Sequence, residues 1–364
     1  MIKKAVFFIL VVGLCLALSS PVTVLAADGP QVLDTSVQVD FPVRVNFSLS
    51  ATSDADIMDI RLHYTVHRMS HAEVTSEVRL EFVPAPLVTS EWNWDMRKTG
   101  GMPPGSSVSY WWTVVDDSGE RLETEPAEVR VDDTRYPWHS LSQGLLTLYW
   151  YEGDESFARE LMDTAQQALV RLASYTGAEL ESPAAIYLYA KYEDLRGAMI
   201  FPQEWTGGVA YTRFSTIAIG ISPDNLDWGK RAMTHELTHL VIHQMVFNPY
   251  NDLPTWLDEG IAMYSEGPLE TAFVDRLVKA IDEDRLITVR SLSSPFSAYA
   301  EESLLAYAQS YSLVDLLINN YGQSQMLELL STFREGSGYD EALQKVYGFD
   351  MDGLNELWRS YVMR

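Results

Sequence analysis

Only one cysteine, Cys15, occurs among the 364 residues, and it lies in the first apolar run. With that run removed as a secretory signal, the remainder has no disulfide, no cysteine nucleophile and no thiolate metal ligand. Any transition-metal site must then be built from histidine and carboxylate. Histidine is scarce as well: there are seven, and none follows His243. Beyond the first 26 residues no stretch approaches the roughly 20 apolar residues that a membrane-spanning helix needs. Basic residues are few, 26 Lys and Arg against 51 Asp and Glu, for a formal net charge of −25. Loss of Lys3 and Lys4 makes that charge still more negative. Such a surface repels nucleic acid and anionic lipid and favours solubility, but says nothing about fold.

What the N-terminus does contain is a positive start at Lys3 and Lys4, an apolar or small run from Ala5 to Ser19, and a small-residue cleavage pattern at Val24-Leu25-Ala26. These predict a signal peptide over residues 1–26 and a protein secreted or held outside the cytoplasm, in a periplasm or at a cell surface. Leu14 is too bulky for Cys15 to be a lipidation site. The remaining length, about 340 residues, suggests two domains, each able to bury its own core.

Residues 30–133 read as all-β. Val37-Gln38-Val39, Val43 to Phe47, Ile60 to Val66 and Val108 to Val114 alternate apolar and polar residues. Turn signals stand between them at Ser53-Asp54, Lys98 to Gly101 and Asp116 to Gly119. Short alternating strands at this spacing predict a β-sandwich resembling immunoglobulin or fibronectin type III modules. Residues 134–144, with Pro137 and several polar residues, form the expected linker. From 145 to 364 the chain reads as α+β, a small sheet followed by helices. Apolar residues recur at helical spacing over Glu155 to Tyr175. Ala185 to Tyr189 predicts a strand and Gly208 to Ile221 a strand pair. Nearly everything after Trp228 then predicts helix, in segments 228–247, 254–266, 268–282, 301–321, 323–335, 338–346 and 350–363.

The segment that bears chemistry is His235-Glu236-Leu237-Thr238-His239. Residues four apart on a helix share a face, so both imidazoles can reach one ion at about 2.0–2.1 Å. Glu236 stands beside that face, placed to take a proton from water rather than to bind metal. A catalytic zinc site needs a third protein ligand. The metzincin extension, with a glycine and a further histidine soon after the motif, is absent, because His243 falls four residues on with the helix continuing. A glutamate on the next helix is the other solution. Pro254-Thr255-Trp256-Leu257-Asp258-Glu259-Gly260-Ile261-Ala262 supplies one, with nineteen residues between His239 and Glu259. That distance lets a second helix return antiparallel and turn Glu259 to the histidine pair.

Together these blocks resemble the gluzincin peptidases, which include the thermolysin-like enzymes and the large zinc aminopeptidases. They most resemble the secreted bacterial group called peptidase MA-like, where a W-L-x-E-G-x-A block carries the last ligand. The resemblance runs from about Gly208 to the C-terminus and takes in Tyr307 to Val314 and Leu357 to Tyr361. It implies a single zinc ion on His235, His239 and Glu259, Glu236 as general base, and a peptide or protein as substrate. A peptidase also needs a donor to the oxyanion of the transition state. The thermolysin-like enzymes use a downstream histidine, which this chain lacks. The aminopeptidases use a tyrosine in a Y-x-x-G block, which Tyr307-Ala308-Gln309-Ser310 resembles with Ser310 in place of glycine. Tyr307 is therefore the candidate, with Tyr311 one turn on as the alternative. A gluzincin cleft runs along an edge strand, for which Gly207 to Tyr211 is the candidate. That stretch departs from the G-A-M-E-N block of the aminopeptidases, which favours an endopeptidase or a special substrate.

Other features have plainer readings. His243 reads as a packing or supporting residue, since a catalytic site keeps one position open for water. Asp258, turned about 100° from Glu259, reads as an exposed or capping carboxylate. His63, His67 and His71 lie four apart in strand-like sequence, where that spacing covers about 13 Å, and read as a solvated face. Trp92-Asn93-Trp94 and Tyr149-Trp150-Tyr151 read as core or domain-contact clusters rather than as a carbohydrate platform. The alternative from another class is a non-enzymatic adhesion or scaffold protein whose zinc is structural.

Overall fold

In the computed structural model, residues 29–202, 207–297 and 299–363 are described. The expected signal peptide, Cys15 included, lies outside them. Among the described residues no helix is long and apolar enough to cross a membrane.

The N-terminal half is an antiparallel sheet organised by one long strand. β1 (Gln31–Asp40) leads through the cis Phe41-Pro42 bond into β2 (Arg44–Val66), which is 23 residues long. β3 (Thr75–Arg79), β4 (Ala85–Asp95), β5 (Ser106–Asp116), β6 (Arg121–Glu123) and β7 (Ala127–Val131) complete it. The first part of β2 pairs with β1 and β4, the second with β3 and β5. Between the two parts the register shifts, and the strand bends at Ser53 to Asp56. Ser53-Asp54, expected as a turn, is therefore a bulge inside a continuous strand. Its polar residues are satisfied in place: the Ser53 hydroxyl donates to Asp116 Oδ2 at 2.6 Å.

The bend folds the sheet over itself. Phe47 on the first part meets Tyr110 of β5 edge-on at 5.2 Å, and Tyr64 on the second part meets Trp94 of β4 at 4.7 Å. The all-β expectation holds, with the two layers as halves of one sheet. Alternate residues Val45, Phe47, Leu49 and Ala51 are fully buried between the layers, as a half-buried strand requires. Trp92 and Trp94 belong to this core.

A second sheet follows, in the order β11-β12-β10-β9-β8. Its strands are β8 (His139–Gln143), β9 (Leu146–Trp150), β10 (Ala184–Tyr189), β11 (Gly208–Tyr211) and β12 (Thr216–Gly220). β9, β10 and β12 run parallel, and β11 and β8 are the two antiparallel edges. His139–Gln143, expected within the linker, is thus an edge strand. Its serines and glutamine are tolerated there because only one side of an edge strand must pair.

This sheet is covered on both faces, and its side-chain alternation separates them. Leu148, Ile186, Leu188, Ile217 and Ile219 face the helical core. Tyr187, Tyr189 and Ala218 face the first sheet. The linker threads this second interface. Tyr189 donates to buried Asp133 at 2.8 Å, Arg135 pairs with the same carboxylate, and Trp138 meets Tyr151, Tyr187 and Tyr189 edge-on.

The helices are α1 (Glu155–Thr176), α2 (Tyr192–Arg196), α3 (Leu226–Val246), α4 (Thr255–Ser265), α5 (Thr271–Asp282), α6 (Val289–Leu292), α7 (Ala300–Tyr321), α8 (Gln323–Arg334), α9 (Tyr339–Tyr347) and α10 (Met351–Val362). Local sequence explains the ends. Asp154 accepts from the Phe157 amide to cap α1, Asp350 accepts from Gly353 to cap α10, and Gly177 closes α1 at φ 75°. α3 is buried on most of its circumference because the second sheet, α1, α4 and α8 all pack on it. Gly229 lets it lie on β12, since a Cβ there would stand 2.3 Å from Ile221 Cγ2.

Candidate metal centre

α3 carries His235 and His239 on the face turned to α4, with Glu236 beside that face against β11, and α4 returns Glu259 to the histidines. The three outer ligand atoms form a tight triangle. His235 Nε2 is 3.1 Å from His239 Nε2, and Glu259 Oε2 is 3.3 Å and 3.4 Å from those two nitrogens. Ligands about 2.0–2.1 Å from a tetrahedral zinc stand roughly 3.3–3.4 Å apart, so the triangle has the dimensions of three corners of such a site. Glu259 Oε2 is buried and has no hydrogen-bond donor. An unsatisfied buried carboxylate oxygen beside two imidazole nitrogens is what a cation would satisfy. The donor set, two nitrogens and one oxygen, suits zinc.

The inner nitrogens are held by carboxylates. Glu266 Oε1 lies 2.8 Å from His235 Nδ1, and Asp258 Oδ1 lies 2.8 Å from His239 Nδ1. Each contact fixes the ring so that Nε2 faces the triangle. Arg231 in turn holds Glu266 at 3.2 Å and Glu270 at 3.3 Å. Asp258 is therefore no exposed cap. Adjacency on α4 turns it from Glu259, but His239 lies between the two and takes one carboxylate on each ring nitrogen. Asp258 Oδ2 also meets His243 Nε2 at 3.0 Å, which gives His243 a supporting place. Glu266 belongs to neither motif block. Its signal was its position seven residues after Glu259, two helical turns along the same face.

Charges follow this geometry. Burial disfavours a charged His235, yet Glu259 and Glu266 beside it raise its pKa to about 9. His239 is likewise disfavoured by burial but raised by Asp258 and Glu259. Burial would raise Glu259, and the two histidines bring it down to about 2. Glu236 is raised, first by desolvation and then by the charge of Glu259. A carboxylate moved toward neutrality in this way is a better proton acceptor.

The centre opens into a cleft of about 870 Å³. The edge strand β11 forms one wall, as expected for Gly207 to Tyr211. Gly208 leaves room for Glu236, since a Cβ there would lie 3.1 Å from its Oε1. The Ala210 backbone N–H donates to the Glu236 carboxylate. Trp228, Phe273 and Met263 add apolar wall, and Gly100, from the turn between β4 and β5, reaches the rim.

Tyr307 on α7 lines the cleft. Desolvation and then the carboxylates of Glu259 and Glu236 raise its pKa, so it stays a protonated donor. Phe296 packs edge-on to its ring at 5.1 Å. Tyr311 turns instead to Tyr264, with ring centroids 5.7 Å apart. The placement of α7 depends on Gly260, where a Cβ would meet the Ser310 carbonyl oxygen at 2.5 Å. Gln309 adds a clamp, exchanging two 2.9 Å bonds with the Ile287 backbone.

The histidines of the first sheet are not brought together. His63 stacks on Trp111 at 5.2 Å and bonds Thr113, so it is more buried than a solvated face implies. His67 bonds Ser109, and His71 stacks on Phe247 of the helical part at 4.2 Å.

The fold and the centre define a zinc metallopeptidase of the gluzincin kind. The sequence profile of the peptidase MA superfamily matches residues 164–364, more than half of the chain, and the chain belongs to that superfamily. It is a peptidase, a hydrolase. No curated protein matches the chain. Among solved structures, it is similar to a two-domain M1 zinc metallopeptidase, solved as a mutant bound to L-arginine, at 12% identity and TM-score 0.40 over 91% of this chain and 94% of that one. It is also similar to a catalytically inactive OgpA from Akkermansia muciniphila in complex with an O-glycopeptide, at 8% identity and TM-score 0.22. That match spans 29% of each chain. A third is a β-1,3-glucan-binding module of carbohydrate-binding family 56, at 18% identity and TM-score 0.17 over 27% of this chain and 96% of the module.

Proposed function

We propose that the protein is an exported peptidase that holds one zinc ion on His235, His239 and Glu259 and uses Glu236 as its general base. The observation that carries this reading is the triangle of ligand atoms, 3.1–3.4 Å on a side, with Glu236 beside it and an open cleft in front. Zinc, when bound, supplies Lewis acidity toward water and the scissile carbonyl.

The chain's own residues do the rest. β11 receives an extended substrate: the Ala210 N–H points to the cleft side, and Gly208, two residues along, presents its backbone groups the same way. Glu236 takes a proton from the attacking water and passes it to the leaving amine. Tyr307 donates to the developing oxyanion, the role for which its place in the cleft favours it over Tyr311. Asp258 and Glu266 keep both imidazoles aimed throughout. A scaffold with a structural ion would have no use for Glu236 in this position.

The test compares wild type with Glu236→Gln, both as full chains, on casein and on a peptide library, with zinc content measured in parallel. Wild type is expected to cleave and to stop on chelation. Glu236→Gln is expected to keep its zinc and lose turnover by orders of magnitude. Full activity in Glu236→Gln, or a zinc-loaded wild type that cleaves nothing, would overturn the reading.

A further inference from the structure

A cavity of about 390 Å³ opens at the joint between the two sheets and shares no lining residue with the cleft. Tyr136 and Trp138 of the linker, Tyr149 of β9 and Tyr187 of β10 supply its aromatic wall, and Arg130 and Asp132 at the end of β7 supply its polar side. An aromatic lining with a few placed polar groups is the character of a small-ligand site. The three aromatics of Tyr149-Trp150-Tyr151 divide here: Trp150 joins the helical core, Tyr151 donates to Asp194, and Tyr149 alone lines the cavity.

The wall leaves apolar surface free. Tyr187 covers one side of Tyr149, stacked on it at 4.6 Å with 10° between the planes. On the other flank the cross-strand partner of Tyr149 is Ser140 of β8, exposed and too small to cover a ring. Trp138 spends its indole N–H on the Asp133 carbonyl at 2.7 Å, so it offers the cavity only apolar surface. The polar side is a matched pair. Arg130 Nε donates to Asp132 Oδ1 at 2.8 Å, and both side chains are about half exposed. Arg130 Nη2 donates to the Tyr187 hydroxyl at 3.3 Å, an approach that Gly105 permits, since a Cβ there would stand 2.5 Å from that hydroxyl. Arg130 Nη1 and Asp132 Oδ2 have no bond to another of the described residues. The two charges cancel, which disfavours an ion as ligand, while a free donor and a free acceptor stand side by side. Such a pair suits neighbouring hydroxyl groups, each of which both donates and accepts.

We propose that this cavity binds a pyranose unit of a neutral glycan, with the C–H face of the sugar on Tyr149 and Trp138 and two adjacent hydroxyls on Arg130 and Asp132. A pyranose combines the apolar face and the vicinal hydroxyls that these walls call for. Because the cavity and the cleft are separate, a glycan held here leaves the cleft free for its own substrate.

The test is titration of the full-length protein, followed by calorimetry and by tryptophan fluorescence. The probes are neutral hexasaccharides of glucose, mannose, xylose and N-acetylglucosamine, with polygalacturonate as an anionic control. At least one neutral hexasaccharide should bind, and polygalacturonate should not. Tyr149→Ala should weaken that binding at least about tenfold, and Asp132→Asn, which keeps the size of the side chain, severalfold. Thermal melting checks that both variants fold, and cleavage of an unglycosylated peptide should be unchanged in each. Failure of every neutral hexasaccharide to bind, tighter binding of polygalacturonate, or binding that survives both substitutions in folded protein would overturn the proposal. The titrations do not depend on the metal centre, so this site and the peptidase reading stand or fall separately.

Discussion

Removing Glu266 tests how far the metal centre depends on groups that never touch the metal. Glu266 holds His235 Nδ1 at 2.8 Å, is itself held by Arg231 at 3.2 Å, and has a side chain only 12% exposed. Solvent therefore screens the contact little, and nothing else among the described residues bonds that nitrogen. In Glu266→Ala the ring keeps its position on α3 but loses the acceptor that fixes its tautomer and orientation, and Arg231 is left with Glu270 alone. Removing such a partner typically weakens metal binding 10- to 100-fold, about 1.4–2.7 kcal/mol. Glu266→Ala should lie at the upper end of that range. Glu266→Gln, which preserves shape and one acceptor but not charge, should lie near the lower end. The assay is competition for zinc against a chromophoric chelator at fixed pH, with kcat expressed per bound zinc. Both variants should recover most of their turnover when zinc is saturating. A Glu266→Ala protein that binds zinc as tightly as wild type would refute the reasoning. So would one whose kcat falls while zinc affinity stays unchanged.

Three further outcomes follow from the same geometry. Tyr307→Phe should lower kcat by about 10²–10³-fold with zinc content intact, whereas Tyr311→Phe should stay within a fewfold of wild type; the reverse result would transfer the donor role. Gly260→Ala should destabilise the fold by about 1–3 kcal/mol, because its Cβ would meet the Ser310 carbonyl oxygen at 2.5 Å and Val314 Cγ2 at 2.6 Å. A melting temperature unchanged in Gly260→Ala would show that α4 and α7 do not pack as described. Zinc affinity should rise with pH, since metal-free His235, with its pKa raised to about 9, is protonated at neutral pH and must lose that proton to bind. The association constant should climb about tenfold per pH unit for each proton displaced, across the range from neutral pH to pH 9, because His239 is raised as well. A flat profile from pH 6 to 9 would contradict the arrangement.

Much of this was legible in the chain alone. Helical spacing placed His235, Glu236 and His239 together on α3, and the same periodicity gave the main helices after Trp228 to within a few residues. These patterns are local, set by 3.6 residues per turn and by apolar faces. Where the sequence misled, tertiary packing outweighed a local signal. Ser53-Asp54 has turn chemistry, yet β2 passes through it because both parts of the strand find partners on both sides. His139–Gln143 is polar enough for a linker, yet edge pairing with β9 makes it a strand. The short helices Tyr192–Arg196 and Val289–Leu292 carry too few turns to show a period.

Residue type and spacing along two helices already single out His235, His239 and Glu259 as neighbours, because each helix returns its side chains to one face every 3.6 residues. How those residues are held is a matter of packing between elements distant in the chain. Glu266 reaches His235 from the end of α4, Asp258 reaches His239 and His243 at once, and Gly260 lets α7 bring Tyr307 into the cleft instead of Tyr311. Each of these depends on the angle and distance between packed helices. Those quantities arise from side chains far apart in the chain, so a one-dimensional pattern does not carry them.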